Sequence, residues 1–328
     1  MRGFWKEKSV LVTGGTGLIG RALVGQLLDL GAKVTIVSLD KVSHIEGAEF
    51  VRADLTNREE CLQLFENQEV VYHLAGIKAS ARLTIEKPAT FFVPLLQMNT
   101  NVIEAAARNE NPNIVFTSSI GAYAAGTTLS DYHDAISGEP MDYYPGWAKR
   151  MAELQLRALE KEFPKLSYTI IRPSNVYGPG DNFDPSTAMV IGSLLGRCMN
   201  HQSKKIQVLG QGKSSRDFVF SDDVATALVA VAMKPNNEMY NVGSGHGVTI
   251  KELVNIIEEV TGKELYFTNS DEPDYPIRVL EIQKIKNEYS WKPETSLRNG
   301  IEKTWNWLQI HSKEMESRHN YFNNKEGF

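Results

Sequence analysis

The sequence predicts an α/β fold built on a doubly wound, parallel sheet. Up to about Arg172, short apolar runs alternate with amphipathic segments of helical periodicity, and a glycine-rich turn follows the first run. Strands and helices in alternation form parallel βαβ units with right-handed crossovers. The predicted strands are Ser9–Thr13, Lys33–Ser38, Glu49–Arg52, Val70–Leu74, Asn113–Ser118 and Ser167–Arg172. The predicted helices include Leu18–Leu30, Arg58–Asn67, Val93–Asn109 and Gly146–Phe163.

After Pro173 the pattern changes to short elements separated by turns such as YGPGDNFDP, LGQGKSS and NVGSGHG. Glycine, proline and asparagine favour turns because of their backbone preferences. We expect residues 1–175 to form the sheet domain and residues 176–312 to form a smaller C-terminal α/β lobe, with chain crossings between the two. Residues 313–328 are polar, and we expect them to form a frayed tail.

Charge, cysteine and histidine content argue against several classes of function. The net charge of -5 at pH 7 disfavours a general attraction to nucleic acid or to an anionic membrane. No apolar run reaches the roughly 20 residues that span a bilayer, and MRGFWKEKSV lacks the apolar stretch of a secretory signal. Cys61 and Cys198 are far apart in sequence, and the histidines show no metal-ligand spacing. We therefore expect a cytoplasmic protein without a metal site, a disulfide, or a nucleic-acid or membrane partner.

The turn VLVTGGTGLIG carries three glycines between a strand and a helix. Gly14 allows a tight turn, Gly17 lets the backbone approach a pyrophosphate, and Gly20 lets the helix pack closely on the strand. Leu18 and Ile19 open the helix, whose N-terminal N–H groups and positive dipole end favour phosphate. An ordinary tight turn is the alternative, but the strand before it and the helix after it favour the dinucleotide site of a Rossmann domain.

The second strand ends in KVTIVSLDK, where an acid that binds the adenosine ribose is expected. Ser38 stands at the expected position, and Asp40 follows two residues later. Asp40 favours NAD, because a carboxylate repels the 2′-phosphate of NADP. Ser38 followed by Lys41 leaves NADP open. Because of Asp40, NAD is the preferred cofactor.

Residues just past the ends of the next strands are further candidates for cofactor contact, since ligands bind at the carboxyl ends of the strands in an open sheet. These residues are Asp54, Leu55, Leu74, Ala75 and Gly76. For Asp54 the alternative is a cap on the helix that follows. Contact with the adenine edge is the preferred interpretation.

Together these segments resemble the extended short-chain dehydrogenase/reductases, specifically the NAD-dependent epimerase/dehydratase family that modifies nucleotide sugars. The resemblance covers nearly the whole chain and includes RADL, HLAG, VFTSSIGAY, RPSNVYGPGDNF, SSRDFVFSDDVA and YNVGSGHGVTIKEL. The pattern is most similar to GDP-L-fucose synthase-like and UDP-glucose 4-epimerase-like members. It implies an NAD(P)-dependent epimerase or dehydratase that acts by hydride transfer at C4 of a nucleotide-diphosphate sugar. It also implies a homodimer, and cofactor contacts from Thr117 and Pro173.

The chemistry of this family uses a Ser at a strand end, a Tyr as acid/base, and a Lys four residues after the Tyr that lowers the Tyr pKa. Ser119 in TSSIGAY and Lys149 in PGWAK match two of these positions. Pro145 stands where the Tyr is expected, and Tyr144 comes one residue too early. Because proline suits the first turn of a helix, we expect the helix to start at Pro145 with Tyr144 just outside it.

Three interpretations of this departure stay open. Tyr144 acts as a displaced acid/base, or another group replaces it, the candidates being Tyr143, Asp142 and His133. The third interpretation is that the site has lost hydride cycling and only binds a nucleotide or a sugar.

Two further positions depart from the GDP-L-fucose synthases, which use a Cys shortly after the catalytic Ser and a later His for epimerisation at C3 and C5. Gly121 and Met189 stand at these positions, and neither can move a proton at neutral pH. The resemblance therefore favours chemistry at C4. A 4-reductase or dehydrogenase with net cofactor turnover is the alternative activity. A non-catalytic dinucleotide-binding protein is the alternative of another class.

The resemblance also implies residues that bind the sugar diphosphate and the base. Arg216 in SSRDF and Arg278 in YPIRVLE match phosphate-binding positions, with a surface salt bridge as the alternative. Asn175 matches a position that meets the diphosphate, or else it ends a strand as a turn residue. Val208 begins VLG, whose main chain would line the base pocket.

Overall fold

The computed structural model contains a parallel sheet of seven strands with helices on both faces. It describes residues 1–78, 80–109, 113–124, 129–131, 137–200, 205–268, 277–317 and 319, with the backbone alone for residues 81, 82 and 315–317. The strands are β1 Ser9–Thr13, β2 Lys33–Ser38, β3 Glu49–Arg52, β4 Val70–His73, β5 Asn113–Thr117, β6 Ser167–Pro173, β7 Asn175–Tyr177, β8 Lys205–Leu209, β9 Ser215–Arg216, β10 Phe218–Phe220, β11 Met239–Val242, β12 Val248–Thr249 and β13 Glu264–Thr268. The helices are α1 Arg2–Trp5, α2 Leu18–Asp29, α3 Arg58–Leu64, α4 Ala81–Glu86, α5 Pro88–Arg108, α6 Tyr143–Glu162, α7 Val190–Asn200, α8 Ser221–Ala232, α9 Ile250–Thr261, α10 Gln283–Tyr289 and α11 Leu297–His311.

The order of the large sheet is β3-β2-β1-β4-β5-β6-β11, and neighbouring strands are parallel throughout. From β1 the chain builds outward to β3 on one side and then from β4 outward on the other. Ligands bind at the carboxyl ends of the strands beside such a switch point. The predicted doubly wound α/β fold is confirmed.

The core of this domain lies in two layers, one on each face of the sheet. Val10 and Val12 of β1 pack in the layer beside α2 and α8, while Leu11 packs in the opposite layer beside α5 and α6. Alternate side chains of a strand point to opposite faces, so a strand covered on both faces reads as an unbroken apolar run. This is why the buried strands were visible in the sequence.

The C-terminal half forms a smaller lobe with its own apolar cluster. Within the described residues, β7 pairs with β10, β8 with β13, and β9 with β12. Leu194 of α7, Ile206 of β8 and Leu253 of α9 lie in this cluster. The chain also crosses back, because α8 packs against α2 and β11 pairs with β6 at the edge of the large sheet.

The six predicted strands are present, each within one residue of its predicted ends. Two helices begin earlier than the sequence indicated. α5 begins at Pro88 rather than at Val93, with proline at the first helical position, where its missing N–H has no partner to lose. α6 begins at Tyr143 rather than at Gly146 or Pro145, which changes the interpretation of the site.

Candidate active site

A cleft of about 1820 Å³ follows the carboxyl ends of the large sheet and continues into the C-terminal lobe. The structure brings most of the predicted site residues to this cleft. From the predicted cofactor set, it is lined by Gly14, Gly17, Leu18, Ile19, Gly20, Asp40, Leu55, Leu74, Ala75, Gly76, Thr117, Lys149 and Pro173. From the predicted catalytic and substrate sets, it is lined by Ser119, Tyr144, Asn175, Val208, Arg216 and Arg278.

The glycine turn forms a cradle in which side chains would not fit. Gly14 has a φ of +69°, and a Cβ there would lie 2.8 Å from the amide nitrogen of Ala75. A Cβ at Gly20 would overlap the carbonyl oxygen of Gly14, and that oxygen accepts a hydrogen bond of 2.9 Å from the N–H of Gly17. α2 has no side-chain cap at Gly17, so its first N–H groups are open to a phosphate. The turn therefore has the shape that a dinucleotide pyrophosphate requires.

Ser38 and Asp40, the two candidate residues at the end of β2, are joined by a hydrogen bond. The hydroxyl of Thr16 donates to Ser38 Oγ at 2.9 Å, and Ser38 Oγ also accepts from the backbone N–H of Asp40 at 3.2 Å. Asp40 is buried at the rim of the cleft, and its Oδ1 accepts from the backbone N–H of His319 at 2.7 Å. Ser38 thus holds the loop in place, and Asp40 puts a carboxylate on the cleft wall just past the end of β2.

Asp54 does not line the cleft. Its Oδ1 accepts from both the backbone N–H and the hydroxyl of Thr56, at 2.9 and 2.8 Å. The following helix α3 is capped by Asn57, whose side chain accepts from the N–H groups of Glu59 and Glu60. The geometry therefore gives Asp54 a turn-stabilising contact rather than the preferred adenine contact.

Ser119 and Lys149 both lie at the carboxyl end of β5 and line the cleft. Ser119 Oγ accepts from the N–H of Gly121 at 3.0 Å, and Lys149 Nζ donates to the carbonyl oxygen of Thr117 at 2.7 Å. The same Nζ lies 4.9 Å from the centroid of the Phe116 ring. Burial lowers the pKa of Lys149 to about 8, although the Glu153 carboxylate favours the charged form.

Tyr144 lines the cleft, but it lies on a different face of α6 from Lys149. The expectation that the helix starts at Pro145 is wrong, because the Gly146 N–H donates to the Asp142 carbonyl at 2.6 Å and places Tyr144 within the first turn. Five residues on a continuous helix rotate Tyr144 by about 140° from Lys149. Its ring instead packs 5.7 Å from the ring of Phe92 on α5.

The other candidates for the acid/base have different surroundings. Tyr143 is half exposed, and its ring lies edge-on to Tyr144 at 5.1 Å. His133 lies outside the described residues. Asp142 lines the cleft, and its Oδ1 accepts from Arg278 Nη1 at 2.8 Å. Arg278 is therefore paired with a carboxylate of the other lobe, whereas the resemblance implied a phosphate contact.

The C-terminal lobe lines its side of the cleft with polar and charged side chains. The side-chain amide of Asn175 donates to the carbonyl oxygen of Asp217 at 2.9 Å, which holds the end of β7 against β10. Arg216 donates to the Ser215 carbonyl at 2.7 Å, and β9 places it beside Arg278. Val208 is buried, with Leu209 exposed next to it.

Arg197 and a buried ion pair are features that the sequence did not reveal. Arg197, on α7, lines the cleft and donates to the Gln207 carbonyl at 2.8 Å, while partial burial lowers the pKa of its guanidinium. Behind Lys149, Arg172 binds both carboxylate oxygens of Glu153. The only hint of Arg197 in the sequence is a lone cation in the apolar helix VIGSLLGRCMN.

Comparison with known proteins decides the family. The sequence model of the NAD dependent epimerase/dehydratase family matches residues 10–243. The chain belongs to this family. A UDP-glucose 4-epimerase homologue of Methanocaldococcus jannaschii is 30% identical over 313 residues, covering 93% of this chain and 99% of that protein. GDP-L-fucose synthase 1 of Arabidopsis thaliana is 29% identical over 321 residues, covering 92% and 93% of the two chains.

Solved structures agree with this assignment. The UDP-glucose 4-epimerase of Thermotoga maritima, crystallised with UDP-glucose, superposes with a TM-score of 0.80 at 28% identity, covering 93% of this chain and 99% of that one. The family is an enzyme family that uses NAD, in agreement with the glycine cradle. Within the described ranges, no cluster of His, Cys, Asp and Glu could hold a metal ion. None of the described helices is long and apolar enough to cross a membrane.

Proposed function

We propose that the protein is an NAD-dependent enzyme that transfers hydride at C4 of the sugar in a nucleotide-diphosphate sugar. The observation that carries the proposal is the continuity of the cleft. It joins the glycine cradle and Lys149 to the cations Arg197 and Arg216 of the other lobe. Cations near a dinucleotide site suit a second diphosphate, that of the substrate.

Different residues of the cleft bind the cofactor, contact the reacting sugar and bind the rest of the substrate. The first N–H groups of α2 bind the cofactor pyrophosphate, Asp40 selects the ribose of NAD over a 2′-phosphate, and Lys149 holds the nicotinamide ribose. Ser119 donates a hydrogen bond to the reacting oxygen of the sugar. Bound NAD supplies the hydride acceptor. Arg197 and Arg216 bind the substrate diphosphate, and the main chain at Val208 faces the base.

The names of the relatives include enzymes of UDP-sugars and of GDP-sugars, so the experiment tests a panel of nucleotide sugars. Purified protein loaded with NAD is mixed with UDP-, GDP-, dTDP- and CDP-sugars while the absorbance and fluorescence of NADH are followed. A transient signal with cofactor retained supports an epimerase or a dehydratase. A stoichiometric signal with cofactor exchange supports the reductase or dehydrogenase.

Pro145 favours a second candidate, a protein that binds the dinucleotide without turnover. In that case NAD binds, but no member of the panel produces NADH. The two candidates therefore give opposite results in one measurement.

We also infer a homodimer formed through α5 and α6, and a reducing, cytoplasmic environment. Trp147, Met151 and Leu154 recur at helical spacing on α6, and Leu154 is 42% exposed, although α6 packs closely on α5. Cys61 and Cys198 are both free and buried. Sedimentation of the wild type and of Leu154→Glu tests the interface, since a charge there should yield monomers.

A further inference from the structure

We propose that the carboxylate of Asp142 replaces the missing tyrosine as the acid/base of the reaction. The proposal rests on the hydride transfer proposed above. Asp142 immediately precedes α6 and stands seven residues, or nearly two helical turns, before Lys149. It therefore lies on the same side of the helix as Lys149, whereas Tyr144 is rotated away.

Gly121 makes room for this carboxylate. A Cβ at Gly121 would lie 2.9 Å from Cβ and Cγ of Asp142, and closer still to its Oδ2. The N–H of Gly121 also donates to Ser119 Oγ at 3.0 Å. The carboxylate of Asp142 thus occupies the space in which a side chain at position 121 would lie, next to the glycine whose N–H binds Ser119.

Arg278 holds the carboxylate in this place. The hydrogen bond from its Nη1 to Asp142 Oδ1 joins the substrate lobe to the start of α6, and the Arg278 side chain is only 17% exposed. Asp142 is 39% exposed, so a proton that it accepts can exchange with water. One oxygen is bound by the guanidinium, and Oδ2 faces Gly121.

Two neighbouring groups of the cleft have contacts or roles of their own. Lys149 Nζ is bound to the Thr117 carbonyl, and the Tyr144 ring packs on Phe92. In the proposed step, the sugar hydroxyl gives its proton to Asp142 as the carbon passes its hydrogen, with the bonding electron pair, to the nicotinamide. The C–O single bond becomes a carbonyl, and the reverse step returns the proton from Asp142.

The test compares Asp142→Asn with Tyr144→Phe in protein loaded with NAD. The probe is the panel sugar that reduces the bound NAD of the wild type, beginning with UDP-glucose. General acid–base catalysis contributes about 10²–10⁴-fold, so Asp142→Asn should slow the reduction at least about 100-fold. Tyr144→Phe should stay within about threefold of the wild type. Binding of NADH and of UDP, measured by titration without turnover, should be preserved in both variants.

Two further variants distinguish loss of the acid/base from a general loss of folded protein. Gly121→Ala displaces the carboxylate without removing it, and it should slow the reduction while NADH binding is retained. Asp142→Ala should regain activity when formate is added, because a free carboxylate can enter the vacated space. Asp223→Asn is the matched control, since the Asp223 carboxylate accepts from the N–H groups of Glu294 and Thr295 and lies outside the cleft.

The outcomes separate the two proposals. Wild-type reduction that persists in Asp142→Asn, or that is lost in Tyr144→Phe, overturns the role of Asp142 and leaves the hydride transfer standing. A wild type that binds NAD but responds to no panel sugar overturns the hydride transfer, and the role of Asp142 with it. Loss in Asp142→Asn with rescue of Asp142→Ala by formate supports both.

Discussion

Lys149 Nζ donates a hydrogen bond of 2.7 Å to the carbonyl oxygen of Thr117, the last residue of β5. The contact ties the cation of α6 to the strand end next to Ser119, where the partly buried ammonium lines the cleft. Burial of the ammonium couples the stability of the fold to pH.

Lys149→Met should raise the free energy of unfolding of the cofactor-free protein at pH 7 by about 1–2 kcal/mol. The pKa of Lys149 is about 8 in the folded protein, below the ordinary lysine value of 10.5. Between these two values the unfolded chain binds the proton and the folded chain does not, so wild-type stability rises with pH across this window. Urea denaturation at several pH values should show the advantage of the variant shrinking from pH 8 to pH 10.5. An advantage that stays constant over that range would contradict the prediction.

Removal of one partner of the buried Glu153–Arg172 ion pair should cost far more stability than removal of one partner of a surface pair. Arg172 Nε and Nη2 donate to the two Glu153 oxygens at 2.9 and 2.5 Å, and both side chains are buried. Glu153→Gln leaves the Arg172 charge buried without a counter-charge and should lower the free energy of unfolding by about 3–5 kcal/mol. Urea denaturation measures this change. Glu264→Gln is the control, because Glu264 meets Lys205 in a pair whose side chains are both more than half exposed, and it should lose at most about 1 kcal/mol.

Much of the sheet could be predicted because its strands are buried on both faces. β1 and β5 read as unbroken apolar runs, and their ends coincide with polar or glycine residues. β11 could not be predicted in the same way. It has four residues, and its position beside β6 depends on a chain crossing that no local pattern records.

The candidate site was predictable where it depends on local sequence and not where it depends on tertiary contacts. The glycine cradle follows from the spacing of its glycines along the chain, and Ser119 and Lys149 were identified by the resemblance of their local motifs to those of the family. The start of α6 was misjudged because proline fits any position in a first turn, where the N–H groups have no helical partner. The pairing of Arg278 with Asp142 joins residues 136 apart in sequence, and the fold alone brings them together.

Asp40→Asn should shift cofactor preference from NAD towards NADP by about tenfold, equivalent to about 1.4 kcal/mol. The Asp40 carboxylate lines the cleft. In the proposed cofactor site it would repel a 2′-phosphate, and the variant removes that charge. Fluorescence titration with NADH and NADPH measures the ratio of the two affinities. Asp54→Asn is the matched control and should leave the ratio unchanged, because Asp54 lies outside the cleft. An equal shift in both variants would mean that Asp54 also senses the cofactor.

A segment near the C-terminus packs against the cleft wall beside Asp40. This C-terminal strap consists of Ser312–Ser317, a 3-10 turn that follows α11, together with His319. Glu314 pairs with Arg21 of α2 at 3.1 Å, and the His319 N–H donates to Asp40. Part of the segment expected to fray therefore packs against the sheet domain, where Ser312 and His319 line the cleft wall.

Removing the C-terminal strap should speed the release of NADH by about tenfold, because the strap must open before the adenosine leaves. A chain that ends at His311 lacks the strap, and a chain that ends at His319 retains it and serves as the control. Release is measured by displacing bound NADH with excess NAD in a stopped-flow fluorimeter. Glu314→Gln should have a smaller effect in the same direction, while Glu302→Gln, which loses only an exposed contact with Arg298, should have none. If the shorter chain instead binds NADH faster and releases it at the wild-type rate, the strap competes with the cofactor for Asp40 and does not retain it.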